Sequence, residues 1–303
     1  MTFIVPPPIA TLDLTMSDGA AIRVRRHGNV EGPRIVLSHG NGFATDAYYP
    51  FWRYLLPDFD VIIFDQRNHG QNPFHPSGHT QTQMADDMEM ILRAVETKFG
   101  KRTTIGAFHS LSTTVSLLHA ARFGYRWDAL ILFDPPLAPP PGHRLHKAAR
   151  DFELALHDWA RKRKHKFKDT DELAQYFQGT RRLRRWVPGA ADLMARAITR
   201  RSGDGGVELV CPGELEAEIY KQNSASPAWS VLPSVAKEIF MISSDFTSPD
   251  ADPPGLVSQS LQTDFGIKVV PVPNTGHLLQ IERPEEVANI VREYLHSRSI
   301  RAG

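Results

Sequence analysis

One cysteine in 303 residues, Cys211, is too few for a disulfide framework or a thiolate metal cluster. Long apolar runs are missing as well. I-V-L at 35–37 and V-I-I-F at 61–64 fall far short of the roughly 20 residues a bilayer-spanning helix needs. The start, M-T-F-I-V-P-P-P-I-A, has neither a basic stretch nor a long apolar one, so a secretory signal is not expected. These absences point to a cytoplasmic protein without a membrane partner.

Net charge is also nearly absent, +1 overall, but it is unevenly spread. From Arg144 to Arg201 there are sixteen Lys and Arg against seven Asp and Glu, an excess of +9 that leaves −8 elsewhere. A basic segment can attract nucleic acid, anionic lipid or an acidic substrate. No nucleic-acid motif accompanies it, so the plainest account is a solvated helical surface and no nucleic-acid partner is expected. The run R-K-R-K-H-K-F-K (161–168) reads as an exposed helix face. The pair of histidines in H-P-S-G-H (75–79) has no cysteine or carboxylate set beside it, so neither metal nor cofactor is expected.

What is present is ordinary globular material, 41% hydrophobic and 23% charged, enough to bury a sizeable core. Short β-branched runs near 11–16, 20–26, 34–38, 61–64, 103–108, 129–133, 238–242 and 267–272 read as strands. The first two suggest a hairpin around S-D-G. The later ones are continuously apolar, as in strands covered on both faces. Helical patterns lie between them. Residues 81–98 place Met84, Met88, Ile91, Leu92 and Val95 on one face, with Gly100 as a stop. Another helix starts at 111, and a last one follows Pro284 and two acids. Such alternation predicts an α/β fold with a mostly parallel sheet. It is interrupted from about 137 to 232, first by P-P-L-A-P-P-P-G and then by a helical, basic stretch too long for a loop. The expected organisation is a core of residues 1–136 and 233–303 with a helical lid of 137–232.

In open α/β sheets, ligands bind beyond the carboxyl ends of the strands. Four stretches there carry chemistry. S-H-G-N-G-F (38–43) offers Gly40 and Gly42, where backbone N–H groups can approach a developing oxyanion, or simply make a tight turn. In F-D-Q-R-N-H-G (64–70), Asp65 and Arg67 suggest a structural pair. In A-F-H-S-L-S (107–112), Ser110 stands where a strand turns into a helix, as a nucleophile or as a helix N-cap. In V-P-N-T-G-H-L-L-Q (272–280), His277 can serve as general base to a distant serine, or sit on a surface loop.

Taken in order along the chain, H-G-N-G, D-Q-R-N-H-G, H-S-L, the insertion and G-H-L resemble the α/β-hydrolase family, and bacterial members with H-A-N-G-F or H-G-N-G-F in particular. The resemblance implies an eight-stranded sheet, helices on both faces and an inserted cap. It implies Ser110 as nucleophile, His277 as base, and the N–H groups of Asn41 and Leu111 as an oxyanion hole. Gly40, Gly42, Phe43 and His109 are the expected substrate contacts, with the Asn41 side chain a further candidate. The acid stays open between Asp134, at a strand end, and Asp245, Asp250 and Asp252 in the later loop. The implied reaction is hydrolysis of a small carboxylic ester or lactone through an acyl-enzyme, and the basic segment suggests an anionic group on the substrate. The same scaffold also supports lyases, carbon–carbon bond hydrolases, cofactor-free oxygen chemistry and plain ligand binding.

One feature departs from the family pattern. Its serine turn commonly has glycine two residues before and two after the nucleophile, where this chain has Phe108 and Ser112.

Overall fold

The structure is a computed structural model that describes residues 2–180 and 184–300. Its main strands are β1 (Ala10–Thr15), β2 (Ala21–Gly28), β3 (Arg34–Ser38), β4 (Asp60–Phe64), β5 (Thr104–His109) and β6 (Ala129–Phe133). An insertion carries β7 (Lys166–Phe167), β8 (Thr199–Arg201) and β9 (Val207–Leu209), and β10 (Ile239–Ser243) and β11 (Lys268–Pro271) follow it. One eight-stranded sheet has the order β1-β2-β4-β3-β5-β6-β10-β11. β1 and β2 form the expected antiparallel hairpin, and β2 is antiparallel to β4. The remaining pairings are parallel.

Helices α1 (Tyr49–Trp52), α10 (Leu279–Glu282) and α11 (Pro284–Ser297) cover one face of the sheet. Helices α2 (Gln81–Phe99), α3 (Leu111–Phe123), α8 (Ala228–Val235) and α9 (Pro253–Phe265) cover the other. The two-residue period of the strands supplies both cores at once. Ile35, Leu37, Ile131 and Phe133 face the first set, and Val36, Leu130 and Leu132 face the second. Helix α2 buries its predicted face of Met84, Met88, Ile91, Leu92 and Val95. It starts where the Thr80 side chain accepts from the Gln83 N–H at 3.2 Å.

The insertion holds helices α4 (His146–Lys162), α5 (Thr170–Gly179), α6 (Ala190–Ala197) and α7 (Gly213–Asn223). It differs from the expected all-helical segment. A small antiparallel sheet, β7-β9-β8, links its helices. These strands have two or three residues each, too short to leave an alternating pattern in the sequence. The expected boundary at 232 also falls inside α8, which packs against α3 and belongs with the sheet.

The run 161–168 is not a helix face. Helix α4 ends at Lys162, Arg163 turns extended, and β7 follows. Part of the segment's basic charge is paired locally, Lys164 with Glu172, Lys166 with Asp204 and Arg200 with Glu208. Arg181 and Arg182 lie outside the described residues. Among the described residues, no helix is long and apolar enough to cross a membrane.

Strand register aligns the site. Ser38 pairs with Phe108, His109 with Phe133, and Phe133 with Ile242. The residues just past these strand ends, His39, Ser110, Asp134 and Ser244, therefore lie along one edge.

Candidate active site

Ser110 joins β5 to α3 with φ 51° and ψ −117°. A non-glycine residue at positive φ is strained by about 1–3 kcal/mol and persists only where its surroundings enforce it. Here the Ser110 N–H is held by the Phe133 carbonyl at 3.1 Å. Leu111 opens the helix, so its N–H has no intrahelical acceptor and points toward the turn. The bulk of Phe108 is absorbed behind the turn rather than in it. Its ring is fully buried and meets Trp127 edge-on, with centroids 5.2 Å apart. Gly106 makes the room: a Cβ there would lie 2.7 Å from the Phe108 ring, 2.8 Å from Leu130 and 3.0 Å from Trp127. Ser112 is buried and satisfied, donating to the His39 carbonyl at 2.5 Å and accepting from Gln66 Nε2 at 3.1 Å.

His277 reaches the turn from the loop after β11. Its Nε2 accepts from Ser110 Oγ at 3.0 Å, and its Nδ1–H donates to Asp134 Oδ2 at 2.6 Å. Asp134 is fully buried at the end of β6, at φ 45°. Its Oδ1 accepts from the Ser243 hydroxyl at 3.1 Å and from the Ser244 N–H and hydroxyl at 3.1 and 2.9 Å. Of the open acid candidates, the structure thus brings Asp134 to the histidine. Asp245 is a correction. Its carboxylate does not meet the imidazole; it accepts from the Thr247 hydroxyl of its own loop at 2.6 Å and from the Asn274 N–H of the loop that carries His277 at 2.9 Å. Asp252 stays near enough to act on His277 electrostatically. Burial works to lower the His277 pKa, but the hydrogen bond and charge of Asp134 prevail and raise it above 6.5.

The H-G-N-G loop lies directly against the serine. A Cβ at Gly40 would come within 3.0 Å of Ser110 Cβ, and one at Gly42 within 2.5 Å of Glu216 Oε1. His109, expected to contact substrate, is instead buried in a bridge. The Gly40 N–H donates to Tyr48 Oη at 3.2 Å, and Tyr48 donates to His109 Nδ1 at 2.8 Å. His109 Nε2–H in turn donates to the His277 carbonyl at 2.8 Å. Both ring nitrogens are occupied in the neutral form, and burial holds the pKa well below 6.5. His69 plays a similar part, accepting from the Gly42 N–H at 3.1 Å while donating to the Arg67 carbonyl at 2.9 Å. Phe43 is half-buried against the first core. Asp65 and Arg67 do not pair with each other. Asp65 holds the Thr45 and Gln71 N–H groups, and Arg67 grips Asp87 and Asp18.

The alpha/beta hydrolase family model matches residues 35–290, which includes all of these elements. The chain belongs to the alpha/beta hydrolase family. Its fold is similar to that of an E-2-(acetamidomethylene)succinate hydrolase, at 19% identity and TM-score 0.75, covering 95% of this chain and 99% of that one. It is also similar to a thioesterase domain from the curacin biosynthetic pathway, at 17% identity and TM-score 0.71, covering 93% and 98%. An esterase from Thermogutta terrifontis aligns at 19% identity and TM-score 0.69, covering 95% and 99%. The curated proteins give no significant match.

This alpha/beta hydrolase closes its site with groups that the sequence did not announce. The Asn41 side chain, expected near substrate, donates to the Glu216 carbonyl of α7 at 2.8 Å, and its Oδ1 is buried without a partner among the described residues. The Glu216 carboxylate is buried and clamped by Arg163 at 2.8 and 2.9 Å. Glu282 accepts from the Gly276 N–H at 2.8 Å and steadies the loop that carries His277. Tyr48 carries no signal in the sequence beyond being one of several aromatics in residues 43–52. Glu216 and Glu282 had no signal beyond their charge. Ser110 is 8% exposed and the His277 side chain 28%, so the pair remains reachable from solvent.

Proposed function

We propose that the protein is a serine hydrolase acting on a carboxylic ester or lactone, with Ser110 as nucleophile, His277 as general base and Asp134 as the acid. The observation that carries this reading is the chain Ser110 Oγ, His277 Nε2, His277 Nδ1, Asp134 Oδ2, with links of 3.0 and 2.6 Å, on a strained turn. Asp134 fixes the tautomer that leaves Nε2 free to accept, and it stabilises the imidazolium that forms.

Ser110 Oγ adds to the ester carbonyl while its proton passes to His277. The tetrahedral oxyanion takes the N–H groups of Asn41 and Leu111. His277 returns the proton to the departing alcohol, and the acyl-enzyme is left. Water then enters, gives its proton to His277 and releases the acid and Ser110. The insertion serves as the cap over this reaction. The esterase and thioesterase among the structural relatives support acyl transfer as the class; their low identity leaves the acyl group open.

A fluorophosphonate probe tests the reading. Rapid labelling, mapped by mass spectrometry to Ser110 and lost in Ser110→Ala and in His277→Ala, is the expected result. Turnover of a discovered substrate by Ser110→Ala that still requires His277 would replace acyl transfer with histidine-centred chemistry.

A further inference from the structure

In the turn from Gly40 to Phe43, all but one of the backbone N–H groups have an acceptor. Gly40 donates to Tyr48 Oη at 3.2 Å, Gly42 to His69 Nε2 at 3.1 Å, and Phe43 to the Gly40 carbonyl at 3.2 Å. Among the described residues, nothing accepts from the Asn41 N–H, although Asn41 is only 3% exposed. A buried backbone N–H without a partner is rare. Gly42, at φ 74°, is the third residue of this turn, where a type II turn places a glycine.

Two histidines hold the turn, and neither ring is exposed. His39 stands directly before it, and His69 comes from the loop after β4. Each donates its Nδ1–H to a carbonyl of its own loop, His39 to Gly40 at 2.7 Å and His69 to Arg67 at 2.9 Å. Each accepts at Nε2 from an N–H of the other's loop, His39 from Gln66 at 3.0 Å and His69 from Gly42 at 3.1 Å. The exchange is reciprocal, and the ring centroids lie 5.0 Å apart. It requires both rings neutral, with the proton on Nδ1. Burial keeps both below the ordinary 6.5, against the pull of Asp65 on His39.

A peptide unit is planar, so holding one end aims the other. The Gly40 carbonyl and the Asn41 N–H are opposite ends of one unit. His39 holds that carbonyl and so turns the Asn41 N–H to the other side. The next unit, between Asn41 and Gly42, is the central peptide of the turn. Its rotation distinguishes a type II turn from a type I turn, and a glycine at its end allows either. His69 fixes it by the Gly42 N–H.

We infer that His39 and His69 are positioning residues of the oxyanion hole, which aim the Asn41 N–H by fixing the peptide units on either side of it. They act through the backbone and not on the substrate. The inference rests on the hydrolase reading and adds to it the reason why one N–H of the loop is left open.

The test exploits the different reach of two amides. An asparagine amide stands about where Nδ1 of a histidine was, and a glutamine amide about where Nε2 was. At position 39 the bond to the turn comes from Nδ1, so His39→Asn should outperform His39→Gln. At position 69 it comes from Nε2, so the order reverses and His69→Gln should outperform His69→Asn. The readouts are the second-order rate of fluorophosphonate labelling at Ser110, and kcat and KM for p-nitrophenyl butyrate. Each difference should be about tenfold in rate, within the roughly 10²–10³ that loss of an oxyanion donor costs, with KM changed by less than about threefold. His79→Phe is the control. His79 stacks on His69 with centroids 5.7 Å apart, but its ring bonds to Asn68 and not to the turn. Its rates should stay within about threefold of the parent. Thermal unfolding of every variant separates loss of fold from loss of aim.

The crossed order, asparagine better at 39 and glutamine better at 69, is the result expected. The same order at both positions overturns the inference, as do losses that follow the unfolding midpoint and include His79→Phe. If the parent is labelled at Ser110 and the crossed order is missing, only the histidines have been misread. If the parent is not labelled, the hydrolase reading fails and takes this inference with it.

Discussion

The ring of Phe108 occupies the space that a side chain at Gly106 would need, with 2.7 Å between the ring and an ideal Cβ. The bulk that stands two residues before Ser110 is accommodated by a glycine two places further back along β5. Gly106→Ala forces the ring, Leu130 or Trp127 to shift, and overpacking of this kind costs about 1–3 kcal/mol. Phe108→Ala leaves a cavity and should cost about 3–5 kcal/mol. The double variant should be less destabilised than the sum, because the new methyl enters the vacated space. Urea unfolding of the four proteins measures the coupling.

Replacing Asp134 by Asn removes the acceptor that fixes the His277 tautomer. A fall in kcat of about 10⁴ is expected, by analogy with the same change in a serine protease. Asp245→Asn leaves the Ser110–His277–Asp134 chain intact and weakens one bond to the loop that carries His277, so its loss should stay below about tenfold. Steady-state rates on one ester separate the two acids. Equal losses would mean that Asp134 is not the partner of the base.

Tyr48→Phe strips a buried bridge of its hydroxyl and leaves the Gly40 N–H and His109 Nδ1 unmatched. The penalty for such groups is about 1–3 kcal/mol. Because the bridge joins the loop beside Ser110 to the backbone of His277, the loss should appear in kcat, by about tenfold or more, with KM much less affected. A variant that loses stability but keeps kcat would show the bridge to be structural alone.

The pH dependence has a fixed sign. His277 must be neutral to accept the serine proton, so kcat/KM rises with pH through its pKa. Asp134 raises that pKa above 6.5, so the half-maximal point of the acid limb should lie above pH 6.5. His109 and His69 are held neutral by burial and add no limb in that range. A pH–rate profile with its acid midpoint well below 6.5 would contradict the assignment of His277 as base.

The basic run of the cap divides into unequal members. Arg163 is buried against Glu216, and removing one partner of such a pair typically costs about 3–5 kcal/mol. Lys164 lies in an exposed pair with Glu172, so Lys164→Ala should hardly move the unfolding midpoint. Thermal unfolding of Arg163→Ala and Lys164→Ala in parallel checks the contrast.

The sheet was legible because its strands are continuous apolar runs, and α2 because its buried face repeats at helical spacing. Ser110 and His277 were legible because each follows a strand and carries the right chemistry. Asp134 competed with Asp245 because both follow strands, and only the third dimension shows which carboxylate faces the imidazole. The strands of the insertion were hidden by their length. His109 was misread because its two ring nitrogens are spent on Tyr48 and His277, partners that lie 61 and 168 residues away. Glu216 was invisible for a related reason. Nothing in a sequence of charged residues says which of them a helix will turn inward.

The hydrogen bond from Asn41 to the Glu216 carbonyl crosses from a loop of the sheet to the cap. The Glu216 carboxylate lies against Gly42 on the same loop. Two segments 175 residues apart in the chain thus lean on one another at the point nearest the serine, so the insertion is a structural part of that loop's shape.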